Sequence, residues 1–150
     1  MITEEDQHRA FRSLLEALAR PARWFATPAG DAERALDLLR IAVWDGDQTL
    51  VVTDQQGASA AFAGADVGTE EEPERGTTVV VVGGEEVTPV TVEGPGVAEP
   101  FEVNLPLARA ALEARQAVCG RYPLGVDTVL IDARGRVLGL PRTTRLRWQD

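Results

Sequence analysis

The stretch RYPLGVDTVLIDARGRVLGLPRTTR, residues 121–145, says more about the fold than any other part of the chain. A Pro-Leu-Gly turn leads into an apolar run, and a second turn at 133–136 leads into another apolar run. Two apolar runs joined by a short Gly-containing turn predict a β-hairpin. The basic residues and threonines at 142–145 then predict an exposed, hydroxyl-rich tail after the hairpin.

Three amphipathic helices are predicted outside this hairpin. The first begins at a capping arrangement of Thr3 and Asp6 and ends at Pro21. Its apolar face is predicted from the helical spacing of four residues: Phe11, Leu14, Leu15 and Leu18. A second helix is predicted over about 32–43, with Asp31 as its N-cap. A third is predicted to end near residue 118, with Asn104 as its cap and Pro106 in its first turn.

Strands are predicted between the second and third helices. They cover 50–52, 77–82 and 87–92, and the first follows a turn at Asp45-Gly46-Asp47. We expect the strand at 87–92 to pair back on 77–82 as a hairpin, with Pro89 at an edge or a bulge. The acidic segment 70–76 is predicted to be a solvated loop.

This order of helices and strands predicts the fold class. It favours an α/β sandwich with a mixed sheet. The length of 150 residues suits one domain, and no linker or internal repeat divides the chain. We therefore expect a single domain spanning 1–150.

Composition excludes several classes of function. One cysteine, Cys119, allows no internal disulfide, and one histidine, His8, makes a metal site very improbable. The net charge of -9 argues against nucleic-acid binding. No apolar run is long enough to span a membrane, and the acidic first residues lack the pattern of a signal peptide, so we expect a cytoplasmic protein.

Arg142-Thr143-Thr144 is the best candidate site. An arginine fork with adjacent hydroxyls matches the oxygens of a phosphate or phosphonate. The favoured alternative is that Arg142 pairs with Asp127, or with another acid at the edge of the core, and locks the hairpin. Pro123 and Gly125 are predicted to shape the turn before Asp127. His8 and Cys119 are predicted to be structural residues.

Several of these motifs together resemble one family, the H subunit of the bacterial phosphonate carbon–phosphorus lyase system (PhnH). They are PLGVD at 123–127 followed by LPRTT at 140–144, the opening helix HRAFRSLLEALARP at 8–21, GPGV at 94–97 and the acidic loop at 68–78. Compared with the family, the chain is shortened between its second helix and Gly76.

The resemblance implies a three-layer α/β/α-like sandwich, similar to a reduced core of the pyridoxal-phosphate-dependent transferases. Those enzymes bind their cofactor through a lysine, and this chain contains no lysine. No cofactor is therefore expected, and no residue is expected to be catalytic.

By the same resemblance, the protein is a non-catalytic subunit that forms a homodimer and joins the G, I and J subunits. That assembly makes ribose 1-methylphosphonate 5-triphosphate from a purine nucleotide and a phosphonate. The residues expected to bind a ligand or a partner are those of the C-terminal motif together with one arginine of the opening helix: Pro123, Gly125, Asp127, Arg142, Thr143, Thr144 and Arg12. The alternative is a free-standing anion-binding protein or small enzyme with its site around Arg142.

Overall fold

The fold is described from a computed structural model that covers residues 2–44, 50–84 and 87–148. These residues contain four α-helices: α1 (Glu4–Ala19), α2 (Ala32–Ala42), α3 (Ala58–Ala63) and α4 (Arg109–Val118). The strands are β1 (Trp24–Phe25), β2 (Leu50–Thr53), β3 (Thr78–Val82), β4 (Thr88–Glu93), β5 (Phe101–Leu105), β6 (Asp127–Ile131), β7 (Val137–Leu140) and β8 (Arg145–Trp148). A short 3₁₀ turn, Pro73–Arg75, precedes β3.

Five strands form the main sheet, in the order β1-β7-β6-β3-β2. β3 pairs in parallel with β2 and β6, whereas β7 pairs antiparallel with β6 and β1. The predicted C-terminal hairpin, β6–β7, is therefore confirmed as a central part of the sheet. The mixed α/β sandwich predicted from the sequence is also confirmed.

The main sheet is covered on both faces, which explains its continuous apolar strands. Alternate residues of β3 point to opposite sides: Val80 packs with α1 and α2, while Val79 and Val81 pack with α3, α4 and the small sheet. All three side chains are fully buried.

A second, antiparallel sheet has the order β5-β4-β8. The prediction that residues 87–92 pair with 77–82 is wrong, because β4 pairs with β5 and β8 instead. Pro89 is opposite Asn104 of β5, and in the described residues β4 pairs with β8 from Val90 to Glu93.

Three other predictions about local structure are wrong. Asn104 is a residue of β5 and not a helix cap, and α4 begins at Arg109 after Ala108, so Pro106 precedes the helix. The expected exposed tail is instead turn 141–144 and strand β8. Strand β8 acquires its structure by pairing with β4, which lies more than 50 residues earlier in the chain. The predicted turn at residues 45–47 lies outside the described residues.

Helix α1 begins as predicted, with Thr3 and Asp6 forming a reciprocal capping box. Its buried face differs from the prediction: Leu14 is buried, but Phe11 is 44% and Leu15 52% exposed. The remaining contacts of the helix come from small residues, because α1 lies very close to β7. A Cβ added at Gly139 would come within 2.5 Å of the Ala17 carbonyl oxygen, so this approach requires glycine.

Candidate functional site

Arg142 and Asp127 form an ion pair at the point where β6 begins and β7 has just ended. The Arg142 Nη2 lies 3.3 Å from Asp127 Oδ2, and the Arg142 backbone N–H donates to Asp127 Oδ1 at 2.9 Å. The Arg142 side chain is only 15% exposed. These two contacts agree with the interpretation in which Arg142 pairs with Asp127.

The rest of the Arg142 guanidinium binds backbone carbonyl groups. Nη1 donates to the Pro73 oxygen at 2.7 Å and to the Pro123 oxygen at 3.1 Å. Arg142 thus ties the end of β7 to the 3₁₀ turn and to the Pro-Leu-Gly turn. Nearly all its donors are used within the protein, so this side chain is first of all an architectural element.

Gly125 allows the backbone to pass closely beside Arg142. Its φ is +150°, and an added Cβ would lie 3.0 Å from the Arg142 Cβ and 3.4 Å from the Cys119 sulfur. Its N–H donates to the Val67 oxygen at 3.1 Å. The turn predicted at Pro123 and Gly125 therefore packs against two other segments of the chain.

A second arginine, Arg115 of α4, was not singled out by the sequence analysis. It is completely buried, and its guanidinium donates to the oxygens of Pro141 (2.7 Å) and Thr144 (3.2 Å) and to the Gln116 side chain (2.7 Å). Burial lowers the pKa of Arg115, and interactions with Cys119 and Asp127 oppose that shift. Arg115 follows Ala111 and Leu112 by four and three residues, so the spacing of the helix places it on the buried face.

Arg115 and Arg142 hold the turn 141–144 from two sides. Arg115 binds the carbonyls at both ends of the turn, and the Thr144 N–H closes the turn on the Pro141 oxygen at 2.9 Å. Arg142, inside the turn, binds outward to Asp127. These hydrogen bonds hold the PRTT segment in place as the connection between β7 and β8.

A cleft of about 640 Å³ opens beside this turn. Its walls come from the end of α4, the loop after it, the 141–145 segment and one residue of the turn after β4: Gln116, Cys119, Gly120, Tyr122, Arg142, Thr143, Thr144, Arg145 and Pro95. None of these residues is acidic. The cleft therefore offers guanidinium, hydroxyl and amide groups to a ligand.

The structure brings together most of the predicted site residues but not all. Thr143 and Thr144 line the cleft with Arg142, although Thr144 is buried rather than exposed. Arg12 lies on the exposed side of α1, in a separate shallow groove with Arg9, Ser13 and Thr27. The two other groups considered in the sequence, His8 and Cys119, are respectively exposed on α1 and at the C-cap of α4, where the thiol lies 3.5 Å from the Val126 oxygen.

Across residues 2–44, 50–84 and 87–148, no three His, Cys, Asp or Glu side chains are grouped so that they could hold a metal ion. In the same part of the chain, no helix is both long and apolar enough to cross a bilayer.

Fold and site together define a small mixed α/β protein, with a polar connection between two sheets and, beside it, a cleft whose described lining residues include no acid. The sequence model of the family described as "Bacterial phosphonate metabolism protein (PhnH)" matches residues 43–147, which is more than two thirds of the chain. The chain belongs to the PhnH family and is thereby associated with bacterial phosphonate metabolism. No curated protein matches it.

The matched range includes every element that builds the site, from the 3₁₀ turn to β8. Helices α1 and α2 precede the matched range. The polar connection and the cleft are thus part of the region that defines the family.

Proposed function

We propose that this protein is a non-catalytic subunit of the carbon–phosphorus lyase core complex. In this role it joins the G, I and J subunits and supports formation of ribose 1-methylphosphonate 5-triphosphate from a purine nucleotide and a phosphonate. The observation that carries the proposal is the family match over residues 43–147. The proposed location is the cytoplasm, where nucleotide and partner subunits meet.

The hydrogen bonds of the Arg142 side chain support a structural role. Arg142 is committed to Asp127 and to two carbonyl oxygens, so it has little capacity left for a substrate. His8 and Cys119 have no partner that would make either a nucleophile–base pair in the described part of the chain. A subunit that supports catalysis elsewhere needs no such pair.

Exposed apolar side chains on α1 support self-association and binding to other subunits. Phe11 and Leu15 are one helical turn apart and lie side by side on the outer face of the helix. Burying such a pair against a second protein is favourable, since each side chain contributes about 1.5–3 kcal/mol on full burial. We propose that this Phe11–Leu15 face lies in the homodimer interface.

The test of the assembly is co-purification. The tagged chain is produced in its native host during growth on a phosphonate, and the bound proteins are identified by mass spectrometry. We expect the G, I and J subunits in constant proportion to the tagged chain. Recovery of the chain without them, in lysates where all three are detected, would contradict the subunit assignment.

The test of the dimer is light scattering on the purified chain at micromolar concentration. We expect twice the chain mass of 16.2 kDa. The double substitution Phe11→Ser with Leu15→Ser should shift the mass towards the monomer while leaving the circular dichroism unchanged. Val87→Ser, at another exposed apolar residue, is the matched control and should leave the dimer intact. A monomeric parent protein would contradict the homodimer.

A further inference from the structure

We propose that the free edge of β5 is a self-association surface, on which β5 of a second copy pairs antiparallel across a two-fold axis. This pairing would continue the small sheet of one chain directly into that of the other. The surface is separate from the Phe11–Leu15 face, because α1 packs on the opposite side of the main sheet. The inference therefore goes beyond the proposed dimer and the subunit role, and depends on neither.

The open edge of β5 is the first argument. Within residues 2–44, 50–84 and 87–148, β5 pairs only with β4, so the backbone groups along its other edge have no strand partner. An edge strand in this state can add a strand from another chain. The opposite edge of the same sheet differs, because the Leu146 carbonyl of β8 accepts a hydrogen bond from Gln116 Nε2 at 3.2 Å.

The sequence around β5 is self-complementary. Residues 100–106 read PFEVNLP, with Val103 at the centre. On either side of Val103 stand a polar, exposed residue (Glu102 or Asn104), then an apolar residue that packs against the core, and then a proline. In an antiparallel pair centred on Val103, each residue of β5 would therefore lie opposite a residue of its own class, on the same face of the sheet.

Glu102 selects this register. Centred on Val103, the Glu102 carboxylate of each copy would lie opposite the Asn104 amide of the other, which can donate a hydrogen bond to it. A pair centred on Glu102 would place like charges directly opposite each other, which is unfavourable. A slip of one residue would bring Glu102 to the same face as Val103. In the favoured register Pro100 lies opposite Pro106, and the missing N–H of proline ends the pairing there.

The neighbouring strand does not oppose this contact. Within the same chain Thr91 lies opposite Glu102 and Pro89 opposite Asn104, and neither neighbour is charged. Only the 5 residues of β5 form the contact in each copy, so it buries less surface than a stable dimer requires. We therefore expect weak pairing, visible well above the micromolar concentration used to measure the Phe11–Leu15 dimer. Copies held together in an assembly would pair at a higher effective concentration.

Disulfide trapping tests the register, in chains that also carry Phe11→Ser and Leu15→Ser so that the α1 face does not contribute. Glu102→Cys and Asn104→Cys are made in separate chains, mixed in equal amounts and oxidised, and the linked peptides are identified by mass spectrometry. We expect the mixed product, which joins position 102 to position 104, in excess of the share that random collision gives. Glu99→Cys replaces Glu102→Cys in the control, because Glu99 is also an exposed acid but lies outside β5. The control should show no excess.

A charge exchange tests the same pairing without added cysteine. Asn104→Glu would place like charges opposite each other and should weaken association several-fold. Adding Glu102→Lys to that chain replaces the repulsion by pairs of opposite charge and should restore association at least to the level of the parent chain. Sedimentation velocity over a series of concentrations measures both variants in the same Phe11→Ser and Leu15→Ser background, and circular dichroism checks that the fold is unchanged.

Three results would overturn the proposal. They are no association of the parent chain at any concentration, a mixed disulfide no more frequent than in the control, and equal association of Asn104→Glu with and without Glu102→Lys. Because the α1 face is already disrupted in these chains, none of these results bears on the Phe11–Leu15 dimer or on co-purification with the other subunits.

Discussion

The Asp127 carboxylate accepts a hydrogen bond from the backbone N–H of Arg142 and pairs with its guanidinium. One carboxylate therefore holds together the start of β6 and the residues that follow β7. The backbone contact is the shorter, at 2.9 Å. The two residues are 15 positions apart but meet because β6 and β7 are paired antiparallel. The ion pair therefore closes the open end of the hairpin, opposite its turn.

Removal of the Arg142 side chain should destabilise the fold. Arg142→Ala leaves Asp127 without its cation and leaves the Pro73 and Pro123 oxygens without their donor. We expect a loss of about 2–3 kcal/mol in the free energy of unfolding, below the range for fully buried pairs because the site is partly exposed. Urea denaturation measures it. Arg134→Ala, at an exposed arginine, is the control and should change the free energy by less than about 0.5 kcal/mol. Equal effects of the two would contradict the architectural role.

Arg115 should not tolerate lysine. The guanidinium reaches Pro141, Thr144 and Gln116 at once with a planar set of donors, which a lysine ammonium cannot reproduce. We expect Arg115→Lys to lower the free energy of unfolding by about 2 kcal/mol, since it leaves a buried charge poorly bonded. The matched change Arg121→Lys, on an exposed residue, should be neutral. Unchanged stability of Arg115→Lys would show that the buried bonds contribute little.

Gly125 should be intolerant of alanine. Its φ of +150° is unfavourable for an L-residue, and the new methyl group would press on the Arg142 Cβ. The expected loss is about 1–3 kcal/mol, seen as a lower melting temperature. Gly30→Ala serves as the control, because nothing lies within 4 Å of a Cβ at that position. A control that destabilises as much as Gly125→Ala would rule out this explanation.

Covalent binding of pyridoxal phosphate should be absent, because the chain has no lysine. After incubation with pyridoxal phosphate and reduction with borohydride, the intact mass should show no internal adduct. Only the N-terminal amine can react. Peptide mapping that placed a stoichiometric adduct elsewhere would contradict this expectation.

Local patterns predicted the elements whose partners are close in sequence. The capping box at Thr3 and Asp6, the end of α4 and the β6–β7 hairpin each depend on residues only a few positions apart. The pairing of β4 with β8 was missed because β8 follows more than 50 residues later and no local pattern records that register. Strand β5 is close to β4 in sequence but was also missed, because Asn104 was interpreted as a helix cap. Residues 145–148 alternate charged and apolar side chains, which indicates a strand only once its partner is known.

The residues of the candidate site show the same difference between local patterns and distant partners. Its residues in the PRTT segment were found from the sequence, since arginine and threonine side by side suggest anion chemistry. Asp127 was named from the sequence as one possible partner of Arg142, whereas the Pro73 and Pro123 carbonyls were not, because no local pattern records which loops pack together. Arg115 was not considered as a site residue, because an arginine on an amphipathic helix is usually exposed. Only its helical spacing from Ala111 and Leu112 hinted that it faces the core.

The two sheets share no backbone hydrogen-bonded pairing in the described part of the chain; what joins them is side-chain packing and the chain itself. The connection between β7 and β8 is only four residues long, and Arg115 and Arg142 both hold it by hydrogen bonds. The small sheet is therefore joined to the main body by the packing of its buried side chains and by short connections such as residues 141–144. The amides of the small sheet should exchange with solvent as a single cooperative unit. Removing the hydrogen bonds of either Arg115 or Arg142 should speed exchange throughout β4, β5 and β8 while exchange in β3 stays slow.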